Sequence, residues 1–187
     1  VIQSDVVTCS LGLYMVPEAE QQACLTGIRA LLRPGGQLVA TVWDEFPMMD
    51  LGRRCVAAAL HHEGGGTPKA ADERLPSLPF SPVSLGEGRA DAMLAHAGLQ
   101  PGPSHNELGT LRLCLGGADE EETWMRGLLP FTGMLAEHAT ARQATDGQVF
   151  ARAKAAFEAE AQRSLELMDG MLYMTLRYRV LSALKPP

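Results

Sequence analysis

The sequence predicts an α/β fold in which helices flank a largely parallel sheet. Two apolar, β-branched runs, Val6–Cys9 and Gln37–Trp43, lack polar alternation, which is typical of strands covered on both faces. Between them, apolar residues recur at helical spacing, namely Cys24, Ile28, Leu31 and Leu32. The order strand, helix, strand predicts a βαβ unit with a right-handed crossover and two parallel neighbouring strands.

The ends of this first helix carry their own signals. Pro17 suits the first turn, where its missing N–H costs nothing. Arg33 lies at the carboxyl end, where a cation is favourable. Pro34 cannot continue the helix, and Gly35 or Gly36 can supply the left-handed conformation that closes it.

The rest of the chain alternates further helices and strands. The first predicted element is a helix through Leu51, Cys55, Ala58 and Ala59, and the second is a helix from Ser84 to Ala97 that stops at Gly98. A strand region follows over 103–115. Helices are then predicted over 120–129, 131–138 and 148–168, and a last strand over 177–185. Residues 63–82 are rich in glycine and proline and indicate a surface loop. We expect one partial domain, 1–187, with an insertion at about 48–83 and a helical cap at about 119–169.

Composition excludes several classes of protein. The 187-residue chain is 46% hydrophobic and 20% charged, which is typical of a soluble globular protein, and its formal net charge is −6. An acidic chain without a Lys/Arg cluster argues against nucleic acid as the main partner. No run approaches the roughly 18 apolar residues that span a bilayer. Without a visible secretory signal we expect a cytoplasmic location, and an organelle stays open because a targeting segment could have preceded Val1.

The chain shows no metal-ligand or nucleophile motif. Its four cysteines, Cys9, Cys24, Cys55 and Cys114, are widely spaced, with no CxxC pair and no Cys/His cluster at zinc-ligand spacing. The five histidines form no metal or triad arrangement. We therefore expect reduced cysteines and assign no catalytic residue and no metal.

Several segments carry a family resemblance. The order DVVTCSLGL, then Pro17, then IRALLRPGGQLVATVWD resembles the second half of class I S-adenosylmethionine-dependent methyltransferases of the type 11 group. In that family, the helix before the fifth strand commonly ends in a Leu-Arg-Pro-Gly-Gly-like phrase. The segments FSPVSLGEGRADAMLAHAGLQ, GTLRLCLGGADEEETWMRG and RYRVLSALKP resemble later family segments in the same order. The resemblance extends from Asp5 to Lys185.

The resemblance implies a partial Rossmann-like sheet. The family sheet has the strand order 3-2-1-4-5-7-6, with the seventh strand antiparallel, and this chain would hold strands 4, 5, 6 and 7. The glycine-rich turn and the acidic residue that hold most of the S-adenosylmethionine belong to the other half. Gly86-Glu87-Gly88 follows a proline-rich loop rather than a strand, so it is not taken as that glycine turn.

The resemblance also implies site residues. Ser10 and Leu11, at the carboxyl end of the first strand, would contact the methionine end of the cofactor. Tyr14 would face a small-molecule methyl acceptor. Trp124 would contact the acceptor as part of a hydrophobic lid with three neighbours, Met125, Phe131 and Met134. An ordinary strand-to-helix turn at Ser10, and core packing at Trp124, remain alternative interpretations.

Two other functions stay open. The chain could be a catalytically silent binding or scaffolding module that self-associates or pairs with a partner through the apolar edge at Val6–Thr8. A nicotinamide-dependent enzyme also fits the βαβ unit, but not the later order of helices and strands. Methyl transfer needs no nucleophile or obvious base, because positioning of an already activated methyl group supplies most of the acceleration.

Overall fold

The computed structural model of the protein describes residues 3–61, 85, 88–128, 131 and 146–187. Its strands are β1 (Ser4–Ser10), β2 (Leu32–Glu45), β3 (Gln100–Pro101), β4 (Leu108–Gly117), β5 (Glu166–Met168) and β6 (Met171–Leu184). Its helices are α1 (Gln21–Leu31), α2 (Pro47–His61), α3 (Arg89–His96), α4 (Thr123–Gly127) and α5 (Asp146–Ser164), with a 3-10 helix at Leu13–Met15. The chain divides into two compact units. The first comprises Val1–Phe46, Leu78–Leu111 and Leu176–Pro187, and the second comprises Pro47–Ser77 and Arg112–Thr175.

The first two strands form the predicted parallel pair. Val6 is opposite Gln37, Cys9 is opposite Ala40, and Ser10 is opposite Thr41. Parallel pairing requires a long crossover, and α1 supplies it. The predicted βαβ unit is therefore confirmed.

The last strand completes the sheet in antiparallel orientation. In β6, Leu184 is opposite Gln37 and Tyr178 is opposite Trp43. Strand β3 pairs with β6 on its other side, also antiparallel, so the order is β1-β2-β6-β3, while β4 and β5 pair with β6 outside this path. The predicted α/β fold class, with a partial Rossmann-like sheet and flanking helices, is confirmed by this order.

The joint between α1 and β2 differs from the prediction. The helix ends at Leu31, and Leu32 is already extended, with φ −76° and ψ 139°. Gly35 is left-handed, with φ +74°, but it lies inside the first part of β2, where the register slips between the Ser4–Leu32 and Val6–Gln37 pairs. The left-handed glycine therefore forms a bulge in the strand instead of closing the helix. Pro17 likewise lies in a turn before α1, since Gln21 begins the helix.

The prediction that β1 is covered on both faces is wrong for the described residues. None of its side chains is buried, and Val6 is 51% exposed. Strand β2, by contrast, buries Leu38, Ala40 and Val42 almost completely. Apolar composition predicted burial for both strands alike. Of the two, only β2 has a neighbouring strand on each side.

A single apolar cluster joins the helices and strands of the first unit. It includes Leu25 of α1, Leu94 of α3 and Leu181 of β6. Helix α3 stops as predicted at Gly98, which has φ +72°. The Leu99 N–H donates to the Leu94 carbonyl over 2.9 Å, so a left-handed glycine closes this helix. Ser84, the predicted cap of this helix, lies outside the described residues.

Helices α2 and α5 pack together in the second unit. Along α5 the buried side chains are Val149, Ala153, Phe157 and Ala161, spaced as one face of a helix requires. In α2, Leu51, Cys55 and Ala59 are buried while Ala58 is exposed, so one of the four predicted core positions is wrong.

The carboxyl end of α5 is shorter than predicted. The helix ends at Ser164, and Glu166–Met168 form β5 instead of a last helical turn. Asp169 and Gly170 both have positive φ, +49° and +76°, which is the geometry of a type I′ hairpin turn. Met168 is therefore 43% exposed instead of facing the core.

Two further predicted elements have different bounds. The strand region predicted over 103–115 becomes a strand only at Leu108, where β4 begins. Strand β3 (Gln100–Pro101) precedes this region, and a turn in which Ser104 and Asn106 have positive φ lies between the two strands. The helix predicted over 120–129 spans only Thr123–Gly127. The whole loop at 63–82, and the helix over 131–138 except Phe131, lie outside the described residues. Among the described helices, none has the length and apolar content to cross a membrane.

Candidate functional site

The carboxyl ends of the parallel strands place Ser10 and Leu11 beside Thr41. The Leu11 N–H donates to both the carbonyl and the Oγ1 of Thr41, each at 3.1 Å. The hydroxyls of Ser10 and Thr41 lie 3.4 Å apart. Thr41 thus holds the turn that leaves β1, and the Ser10 side chain stays exposed at the end of the strand where open α/β sheets bind ligands.

Leu11 has a strained backbone. Its φ is +50°, a left-handed conformation that costs a residue with a Cβ roughly 1 kcal/mol or more. At Gly12 an added Cβ would lie 3.1 Å from the Cys9 Sγ, so a larger residue there would crowd the end of the strand. Backbone strain of this kind concentrates at functional sites, and Leu11 is the residue of this turn that carries it.

Tyr14 follows this turn in the 3-10 helix and is half-buried. The 3-10 helix is tied to the turn because the Met15 N–H donates to the Gly12 carbonyl over 3.1 Å. Ser10, Leu11 and Tyr14 therefore lie on one continuous, hydrogen-bonded segment of the first unit. Their assignment to cofactor and acceptor stays a prediction.

Asp44, at the end of β2, is engaged by two arginines of β6. It accepts a hydrogen bond from Arg179 over 2.6 Å and an ion-pair contact from Arg177 at 3.2 Å. Its carboxylate therefore links β2 to β6.

Trp124 lies in the second unit, on α4, and is only 8% exposed. Its ring meets that of Phe150 at a centroid distance of 6.1 Å and an angle of 59°. Trp124 also lines a cavity of about 510 Å³ with Phe157 and Leu172. Of the other predicted lid residues, Met125 is 40% exposed and Phe131 is buried, while Met134 lies outside the described residues.

The cavity wall also carries charge. Lys154 donates a hydrogen bond to Glu121 over 2.5 Å, and this contact raises the pKa of Lys154, so the ammonium stays protonated. Glu120 lies 3.5 Å from Arg126. Asp119 and Glu158 are further acidic members of the wall. The sequence contains these charges in DEEE and the acidic face of α5, but only the structure brings them together around Trp124.

Thiol and imidazole chemistry find no support in the described residues. Burial is the main cause that raises the pKa of Cys55, to about 12, and burial also raises that of Cys24. His105 uses both ring nitrogens, because Nε2 lies 2.9 Å from Asp91 and Nδ1 accepts the Ser182 N–H over 3.2 Å. No group of three or more His, Cys, Asp or Glu side chains suited to a metal ion occurs in the described ranges.

Comparisons with known proteins give distant structural likeness only. No protein-family model matches this chain, and no curated protein matches it. A Bacillus halodurans protein assigned as a methyltransferase aligns with 99% of this chain and 65% of its own, with a TM-score of 0.46 and 13% identity. The [4+2]-cyclase SpnF aligns with 98% of this chain and 50% of its own, with a TM-score of 0.38 and 16% identity. This chain thus spans less than two thirds of either protein, and at these values the likeness carries no information about site or activity.

Proposed function

We propose that this chain is the carboxyl-terminal part of an S-adenosylmethionine-dependent methyltransferase that acts on a small-molecule acceptor. The supporting observation is the strand order β1-β2-β6-β3, in which β1 and β2 are parallel and β6 is antiparallel. The sequence resemblance implies that same order and those same directions for family strands 4, 5, 7 and 6. Strands β1, β2 and β6 occur at the positions along the chain that the resemblance assigns to strands 4, 5 and 7, whereas the short β3 (Gln100–Pro101) precedes the segment GTLRLCLGG that resembles the family's following strand.

The residues at the end of β1 fit one end of the cofactor. The Ser10 hydroxyl is exposed there, while the Leu11 N–H is used by Thr41. Ser10 would therefore contact the cofactor through its hydroxyl and carbonyl, and Leu11 through its side chain. When bound, the cofactor supplies a methyl group already activated on a sulfonium. Tyr14 would face the acceptor, so that this chain orients the acceptor without supplying a nucleophile.

Most contacts to the cofactor would come from a preceding half with a strand and a glycine-rich turn. We expect this chain alone to bind S-adenosylmethionine weakly or not at all. The coding sequence upstream of Val1 distinguishes the transferase from a module without that half. A strand followed by Gly-x-Gly-x-Gly there favours the transferase. A native start codon at this point favours a module without that half.

Calorimetry tests the proposal on the complete protein. We expect binding of both S-adenosylmethionine and S-adenosylhomocysteine. Ser10→Ala should weaken binding up to about tenfold, the equivalent of one hydrogen bond to a charged group. Thr8→Ala, also exposed on β1, is the matched control and should leave affinity unchanged. Absence of heat with both compounds would end the proposal.

A second candidate function is association through β1. Among the described strands β1 pairs with β2 alone, and Val6 on it is 51% exposed. An edge of this kind is a template for a further strand. Sedimentation at micromolar concentration should then show a dimer or a complex, with slow hydrogen exchange of the outward-facing β1 amides. A monomer whose β1 amides exchange rapidly contradicts the association.

A further inference from the structure

The cavity of the second unit has a partly apolar wall and is partly open to solvent, since Leu167 in this wall is 62% exposed. Its volume is about 510 Å³, and the apolar side chains that line it include Trp124, Phe157, Leu165, Leu167 and Leu172. They come from α4, from the carboxyl-terminal end of α5 and the residue that follows it, and from the hairpin of β5 and β6. A volume of roughly 300–1,000 Å³ is typical of pockets for small organic ligands.

The aromatic part of this wall is held in place. Trp124 packs against Phe150 and is almost completely buried. Phe157 is 2% exposed, and an added Cβ at Gly127 would lie 2.3 Å from its ring, so the ring lies directly on the α4 backbone. Because neither ring has to be ordered when a ligand enters, little affinity is lost to immobilising the wall.

The polar part of the wall is acidic. It contains three carboxylates, those of Asp119, Glu120 and Glu158, and one ammonium, that of Lys154. The ammonium is engaged by Glu121, and Glu120 lies near Arg126. Within the part of the chain that the structure describes, no basic side chain forms an ion pair with Asp119, and Glu158 has only a longer-range interaction with Lys154. The wall therefore offers uncompensated negative charge beside aromatic rings.

We propose that this cavity binds a small organic cation, with an aromatic or aliphatic body and a protonated amine or quaternary ammonium. The body would displace water from Trp124, Phe157 and the leucines, and the cation would face Asp119 and Glu158. A cation close to an aromatic ring is attracted by the negative face of the ring quadrupole. An anionic ligand of the same shape would meet like charge instead. This binding does not depend on methyl transfer.

Calorimetry with three probes of the same body tests the charge. The probes are 4-phenylbutylamine, 4-phenylbutanol and 4-phenylbutyrate, which are cationic, neutral and anionic at pH 7. We expect the amine to bind at least about tenfold more tightly than the alcohol, the carboxylate to bind weakest, and the preference for the amine to fall with added salt. Equal affinities, the reverse order, or no binding of the amine at millimolar concentration would overturn the proposal.

A double variant in the cavity wall and a control variant elsewhere test whether the cation binds in this cavity. The double variant Asp119→Asn, Glu158→Gln should reduce the preference for the amine about tenfold and leave the affinity for 4-phenylbutanol unchanged. Both side chains are exposed, so circular dichroism should show an unchanged fold. Glu107 is an exposed carboxylate of the first unit. Glu107→Gln is the control and should change neither the preference for the amine nor the affinity for 4-phenylbutanol. A full preference for the amine in the double variant would overturn the assignment. These measurements contain no methyl donor, so their failure is distinct from a failure of the proposed transferase.

Discussion

Arg179 on β6 donates a hydrogen bond to Asp44 at the end of β2 over 2.6 Å, and the two side chains are only 8% and 13% exposed. The pair lies near the end of this strand pairing, where Arg179 is opposite Val42 and the register shifts between Trp43 and Glu45. Two charges removed from water depend on each other, because each alone would carry an uncompensated desolvation cost. Asp44 therefore stabilises the sheet.

Removing this carboxylate should destabilise the protein strongly. Asp44→Ala removes the carboxylate that accepts the 2.6 Å hydrogen bond from Arg179 while the guanidinium stays buried, and we expect a loss of about 3 kcal/mol in the free energy of unfolding. Glu45→Ala is the matched control, because Glu45 pairs with Arg177 over 2.7 Å but is 55% exposed. Exposed ion pairs contribute about 0–1 kcal/mol. Urea unfolding measures the free energy of unfolding of both variants. Equal losses in the two variants would contradict the argument that burial makes the Asp44 pair the stronger one.

Two glycines should respond in opposite directions to the same change. A Cβ added at Gly109 would lie 2.3 Å from the Cζ of Tyr178, whereas one added at Gly27 would meet nothing within 4 Å. Gly109→Ala forces the tyrosine ring off β4 and should cost about 1–3 kcal/mol. Gly27→Ala lies inside α1 and should stabilise by about 0.5–1 kcal/mol, because alanine restricts the unfolded chain and favours helix. Thermal unfolding measures both, and a shift of the same sign in both would refute the prediction.

The Asp91 carboxylate should make stability depend on pH in the acid range. Burial by itself would raise the pKa of Asp91, but the hydrogen bonds from His105 and Asn106 outweigh it, so the pKa is lowered. A lowered folded-state pKa contributes stability above the unfolded value, about 3.9, which is lost as pH falls through the folded pKa. Since this side chain is 44% exposed, the contribution should stay within about 1 kcal/mol.

Unfolding of the protein and of Asp91→Asn as a function of pH gives the measurement. We expect the variant to be less stable at pH 7. The difference should shrink as pH falls below about 4, where the carboxylate of the unfolded chain becomes protonated, and should be lost once pH is below the lowered pKa of the folded carboxylate. A difference that stays constant from pH 7 to pH 2 would show that the charge of Asp91 contributes nothing.

The parallel pair of strands was predictable because it rests on long apolar runs. Val6–Cys9 and Gln37–Trp43 are separated by clear helix and turn signals, and their parallel direction follows from the length of the crossover. The antiparallel last strand and its place beside β2 were implied only by the family resemblance. Burial was less predictable. The exposure of Val6 depends on which strands pair with β1, and an apolar run carries no information about its neighbours.

Turn chemistry explains the misplaced boundaries. Asp169-Gly170 is a hairpin signal, but the apolar stripe that precedes it has helical spacing and predicts a helix up to Met168, so the strand Glu166–Met168 is missed. The candidate residues show a similar division. Ser10 and Leu11 were predicted as cofactor contacts from the family resemblance and their place at the end of a strand, and this role stays a prediction. The hydrogen bonds that the Leu11 N–H donates to Thr41 join residues far apart in the sequence, as does the acidic wall around Trp124 in the second unit.

The cysteines should differ sharply in reactivity toward a thiol reagent. Cys55 is completely buried, and that burial, with Glu160 adding to it and Arg54 opposing it, raises its pKa to about 12. Since the thiolate is the nucleophile, Cys55 should not react in the native protein at pH 8. Cys114 on β4 is exposed and should be labelled by iodoacetamide within minutes. Mass spectrometry of labelled peptides measures both rates, with Cys114→Ser as the control that abolishes the fast phase. Reaction of Cys55 without denaturant, at a rate near that of Cys114, would contradict the buried position of α2 against α5.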